Sequence, residues 1–215
     1  MSVDQSTTLA HLRRRIHGSF DIDEWGLDPE LVATTDPLVS LRWDTEVDVA
    51  GHVPTAGGAV LVFNRRLGIS EPWVLARGIR RATGRFVRTV GVPDHAPVGP
   101  FLRRFGAVMD RPDEIEGLLR ASQLVGLPLS RRLTNEEQAG HLELDRVEAV
   151  LAAGVPVIPV ALVGREIGRR WRIVVGPPVP TATRQGPLSS ADLADAASAA
   201  VQDLLNDAVP AGWLW

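Results

Sequence analysis

From residue 59 onward, short apolar runs alternate with segments patterned for amphipathic helices, and few architectures accept that alternation. Ala59–Phe63 contains no polar residue, the signature of a strand covered on both faces of a sheet. Residues 86–91, 107–109, 124–129, 155–163 and 171–175 read as further strands, the fourth interrupted by Pro156 and Pro159. Between them, 71–84, 98–105, 112–122, 143–153 and 190–208 carry helical periodicity. Pro72 in the first turn and Gly84 past the last bracket one helix, and Asp113 and Glu114 open another where carboxylates complement the helix dipole. The order predicts an α/β fold: a mixed, largely parallel sheet flanked by helices in a single domain.

Upstream, residues 41–49 alternate Leu41, Trp43, Thr45, Val47 and Val49 with charged side chains, which predicts a strand with one wet face. Asp28 and Pro29 announce a short helix, and residues 7–17 place Leu9, Leu12 and Ile16 on one stripe of another. We therefore divide the chain into a helical appendage, 1–40, and an α/β domain, 41–215, in which 177–187 is a connector.

The 215 residues suffice for one domain with a sizeable core, and a net charge of −3 argues against a generic nucleic-acid binder. The chain has no cysteine, which excludes disulfides and thiolate metal sites and suits a reducing, cytoplasmic compartment. No His/Asp/Glu group has metal-ligand spacing, and neither a P-loop nor a dinucleotide fingerprint is present, so no metal or cofactor is expected. No apolar run reaches the length of a membrane span and no signal segment is visible; the expectation is a soluble or peripheral protein. All 23 basic residues are arginine, each able to grip an anion in a bidentate way.

Four segments carry a more specific pattern. The first is Asn64-Arg65-Arg66-Leu67-Gly68-Ile69-Ser70, directly after the Ala59–Phe63 run. The second is Gly106-Ala107-Val108-Met109-Asp110-Arg111, and the third Leu127-Pro128-Leu129-Ser130-Arg131-Arg132. The fourth is Val155-Pro156-Val157-Ile158-Pro159-Val160, followed by Ile173-Val174-Val175-Gly176-Pro177-Pro178. Together they resemble, in order and spacing, the blocks of the glycerol-phosphate and lysophospholipid (1-acylglycerol-3-phosphate) acyltransferase superfamily, covering roughly residues 47 to 180.

The resemblance implies an acyltransferase-like domain, acyl-CoA as ligand or co-substrate, and a phospholipid or lysophospholipid partner. It also implies substrate-binding roles for Asn64, Asp110, Arg111 and Arg132. In the family the first block reads Asn-His-x4-Asp, with the histidine as general base; here those two positions are Arg65 and Ser70. A guanidinium stays protonated at any working pH and accepts no proton. The glutamate and glycine of the family's third block are Leu129 and Ser130. Candidate substitute bases are Glu71 and His95; His52 reads as a turn residue at the far end of the sheet and His141 as a solvated loop residue.

Arg77, Arg80, Arg81 and Arg85 fall within about two helical turns and predict a basic face for lipid headgroups or coenzyme A phosphates, or else one balanced by the acidic residues of the first fifty. The terminal Trp213, Leu214 and Trp215 suit a membrane interface, the core or a partner chain. Three readings stay open: a degenerate acyltransferase-fold protein that binds acyl-CoA or a lysophospholipid without transfer, an active divergent acyltransferase with a relocated base, and a protein-interaction module with a closed pocket.

Overall fold

The computed structural model describes residues 21–49, 51–65, 69–130, 139–180 and 187–208. The predicted helix at 7–17, Arg132 and the tryptophans at 213 and 215 lie outside them. The strands are β1 (Asp44–Asp48), β2 (Ala59–Phe63), β3 (Val87–Val90), β4 (Ala107–Val108), β5 (Leu124–Pro128), β6 (Val157–Gly164) and β7 (Arg170–Val175). The helices are α1 (Pro29–Arg42), α2 (Ser70–Thr83), α3 (Val98–Arg103), α4 (Pro112–Arg120), α5 (Leu144–Ala153) and α6 (Pro187–Ala208). One seven-stranded sheet runs β1-β7-β6-β2-β5-β3-β4, parallel throughout except for the antiparallel β6–β7 pair. The α/β expectation, a mixed and largely parallel sheet flanked by helices, is what the chain adopts.

The strand pleat sorts the apolar side chains into two cores. Val60 and Val62 of β2, Val125 and Leu127 of β5 and Ala161 and Val163 of β6 face α4, α5 and α6. Ala59, Leu61 and Phe63, with Leu124, Ile158, Val160 and Leu162, face α2 through Val74, Leu75 and Ile79. All five residues of β2 are fully buried, so this central strand has no wet face for alternation to show. Gly78 lets α2 settle on the sheet: a Cβ there would stand 2.2 Å from Ile173 Cδ1.

The N-terminal region departs from expectation at one point. Asp28 caps α1 by accepting from the Leu31 N–H at 2.7 Å and Pro29 opens it, as predicted, but the helix runs fourteen residues, through Pro37. The expected division at residue 40 falls inside it. Leu41 therefore belongs to a helix and is 69% exposed, while the strand begins at Asp44. Alternation in 41–49 correctly signalled β1, whose charged residues are exposed and whose Val47 packs toward α2. The two-residue period misled only where a helix end met a strand start.

The connections fix where a ligand can enter. β2 continues through α2 on one face to β3, whereas β5 continues through α5 on the other face to β6. The two departures run in opposite directions, which makes the carboxyl ends of β2 and β5 a topological switch point of the sheet.

Candidate functional site

Asn64 and Arg65 leave β2 at that switch point. Asn64 is 4% exposed and its amide is engaged at both ends: Nδ2 donates to the Leu162 carbonyl at 3.0 Å, and Oδ1 accepts from the Leu162 N–H at 2.7 Å. It prolongs the β2–β6 ladder by one side chain, and this requires both the donor and the acceptor of an amide.

Arg65 turns outward and is exposed. Its Nη1 lies 3.8 Å from where a Cβ on Gly91 would stand, so it reaches across the end of β3. Beside it is a cavity of about 260 Å³ between α2, the ends of β3 and β4, and the α3 region. Trp73, Ala76, Val90, Leu102 and Phe105 form much of its wall, and Trp73 meets Phe105 edge to face at 5.1 Å. Among the described lining residues Arg65 is the sole charged one. No hydrogen bond or ion pair links it to another described residue.

Ser70 and Glu71, at the start of α2, are each 1% exposed. Ser70 Oγ donates to Glu166 Oε1 at 2.7 Å, and its N–H meets Glu166 Oε2 at 3.3 Å. The β6–β7 turn thus delivers a carboxylate to the positive end of α2, satisfying N–H groups that no residue of its own segment caps. The turn is itself held by α1, since the Arg42 guanidinium donates to the Glu166 and Gly168 carbonyls. Glu166 was missed by sequence reasoning, because ninety-six residues separate it from Ser70. His95 is exposed on the loop after β3 and has no described side-chain partner.

The second and third blocks meet around another arginine that the motif reading did not single out. Arg146 of α5 is 9% exposed; its Nε donates to Asp110 Oδ1 at 2.8 Å and its Nη1 to the Pro128 carbonyl at 3.1 Å. Its Nη2 completes a fork on Asp110 and lies 3.4 Å from Glu143, which accepts from Ser130 Oγ at 2.6 Å. The network stitches the ends of β4 and β5 to the start of α5. Arg111 points elsewhere, pairing with Asp94 at 2.9 Å, both more than half exposed. Leu129 is a core residue, 1% exposed. His141 is exposed and bridges Ser130 through its backbone, and His52 Nδ1 sits 3.0 Å from the Val175 carbonyl at the opposite end of the sheet.

The basic face expected on α2 is dissolved by packing. Arg77 is 7% exposed, its Nε on Asp36 at 3.0 Å and its Nη1 on Trp43 O and Thr45 Oγ1. Arg85 donates to the carbonyls of Pro54, Gly57 and Ser122, and partial burial holds its guanidinium below its ordinary range. Arg80 lies 5.0 Å from the Phe86 ring centroid, leaving Arg81 exposed. Helix periodicity put these arginines on one face; it carried no information that α1 and the 51–58 loop would fold over that face. Two of the acidic residues in the first fifty do cover buried cations: Asp36 pairs with Arg77 and Asp23 with Arg88. Among the described residues no His/Asp/Glu group is placed to hold a metal ion, and no helix is long and apolar enough to cross a membrane.

Neither a protein-family model nor a curated protein matches the sequence. The fold does have counterparts among solved structures. The 1-acyl-sn-glycerophosphate (LPA) acyltransferase PlsC from Thermotoga maritima superposes with a TM-score of 0.59 at 13% identity, covering 96% of this chain and 84% of that one. The chain therefore has an acyltransferase-like fold.

Proposed function

We propose that this protein is a catalytically degenerate acyltransferase-fold protein that binds an acyl-chain lipid without transferring the chain. One observation carries the reading: among the described residues that line the apolar cavity beside α2 and the end of β3, the charged one is Arg65, a permanent cation. Transfer to a hydroxyl needs a proton acceptor within hydrogen-bond reach of it. Glu166, the carboxylate on Ser70, is already engaged by that hydroxyl and by the N–H groups that open α2, so its charge serves the helix. Glu71 is buried in the same turn, and His95 is not among the cavity's described lining residues. Acyl-CoA and lysophospholipids are the ligand classes, by analogy with what the Thermotoga protein's name says it acts on. In this reading the sheet from β1 onward and its helices form the binding domain, with α1 packed against it.

The test is to incubate purified protein with acyl-CoA and lysophosphatidate, following free CoA and ligand binding together. Association without CoA release is expected. Release above the uncatalysed rate would establish the divergent-enzyme reading instead.

A further inference from the structure

We propose that the cavity beside Arg65 is a receptor for a single-chain amphiphile with a monoanionic carboxylate head, a medium-chain fatty acid. The inference rests on the non-transferring reading above and narrows its ligand. Trp73, Ala76, Leu102 and Phe105 offer the tail an apolar surface beside α2, while Arg65 stands exposed at the rim. A tail entering there leaves its head within the arginine's reach, where a planar fork matches the two oxygens of a carboxylate.

Charge selects the head. Arg111, the described cation on the next strand end, is neutralised by Asp94, and the Glu166 carboxylate is held at the start of α2. The rim thus presents one uncompensated positive charge among the described residues, which balances one negative charge. A phosphate monoester brings a second charge that no described lining residue meets, and the several phosphates of CoA bring more. Volume selects the tail. At about 260 Å³ and open to solvent, the cavity falls just short of the roughly 300–1,000 Å³ that encloses drug-sized ligands, so a medium chain fills it and the end of a longer one extends past the apolar wall.

The experiment is a head-group ladder by calorimetry, on full-length protein below micellar concentrations: decanoate, decyl phosphate, decanol and hexadecanoate. Decanoate is expected to bind at least tenfold more tightly than decanol or decyl phosphate, and more tightly per carbon than hexadecanoate. The Arg65→Gln variant should lose that tenfold preference while its affinity for decanol stays within twofold. Equal binding of decanoate and decanol, tighter binding of decyl phosphate, or a preference that survives Arg65→Gln overturns the proposal. Should Arg65→Gln not fold, the ladder on the unaltered protein decides between these outcomes alone. The two readings fail separately: binding of decanoyl-CoA without decanoate sinks the fatty-acid receptor only, whereas CoA release sinks the non-transferring reading whatever decanoate does.

Discussion

Two arginines stand at the same end of the sheet and live in opposite circumstances. Arg146 is buried, and its guanidinium meets Asp110, the Pro128 carbonyl and Glu143. Arg65 is exposed, has no described partner, and borders the apolar cavity. Taking a guanidinium out of water is costly unless its donors are met, so a saturated, buried arginine is explained by the fold alone. An exposed arginine at an apolar opening costs the fold little, and no feature of the fold requires it. The contrast separates a cation that holds this protein together from one that meets no described partner.

The largest expected effect breaks the first half of the contrast. Arg146→Met leaves Asp110 without its fork and the Pro128 carbonyl without a donor. Removing one partner of a buried pair costs about 3–5 kcal/mol; here the low end is expected, because Asp110 retains 40% of its side-chain exposure. Chemical denaturation would read the loss. A change below about 1 kcal/mol would mean Arg146 is no more structural than Arg65, and the comparison would fall. Asp110→Asn, keeping one acceptor, should cost less than Arg146→Met.

Arg146 also shows what could and could not be read beforehand. The alternation of patterns gave the sheet, its largely parallel character and the helices, because burial of β2, β5 and β6 is a property of local runs. Asp110 stood in a legible motif, but its partner was invisible, since the Arg146–Asp110 contact spans thirty-six residues. Glu166 on Ser70 escaped for the same reason. Arg77 and Arg85 were legible as cations and illegible as structural ones, because the groups that absorb them, Asp36 and the carbonyls of Pro54, Gly57 and Ser122, come from other elements. Local pattern reports which residues a segment must bury or expose; pairing across the sheet is set by topology.

A smaller effect tests whether the rim next to Arg65 belongs with the structural cations. Ser70→Ala deletes the hydroxyl that holds Glu166 at the start of α2. An N-terminal cap is worth about 1 kcal/mol, and the backbone N–H of Ser70 keeps part of the contact, so a loss at or below that figure is expected. Thermal unfolding would measure it. Glu166→Gln should cost a similar amount, because the amide oxygen still accepts while the charge opposite the helix dipole is gone. If either variant instead cost as much as Arg146→Met, the start of α2 would be a second structural network, and the opening beside it less free to accommodate a ligand.

The smallest effect is the one that sharpens the comparison most. Arg65→Gln removes an exposed charge that meets no described partner, and surface changes of that kind stay within about ±0.5 kcal/mol. The chain's net charge of −3 grows by one, a repulsion that physiological salt largely screens. A near-zero change in unfolding free energy is therefore expected without ligand. With decanoate at ten times its dissociation constant, the unaltered protein should gain about 1.4 kcal/mol from mass action, and Arg65→Gln, binding at least tenfold more weakly, should gain no more than about 0.4 kcal/mol at the same concentration. Arg146→Met, if enough of it folds, should keep the ligand increment while losing its own stability. That crossed result, one arginine removing stability and the other removing only the response to an anion, is what two different roles require; a parallel response would make the two arginines the same kind of residue.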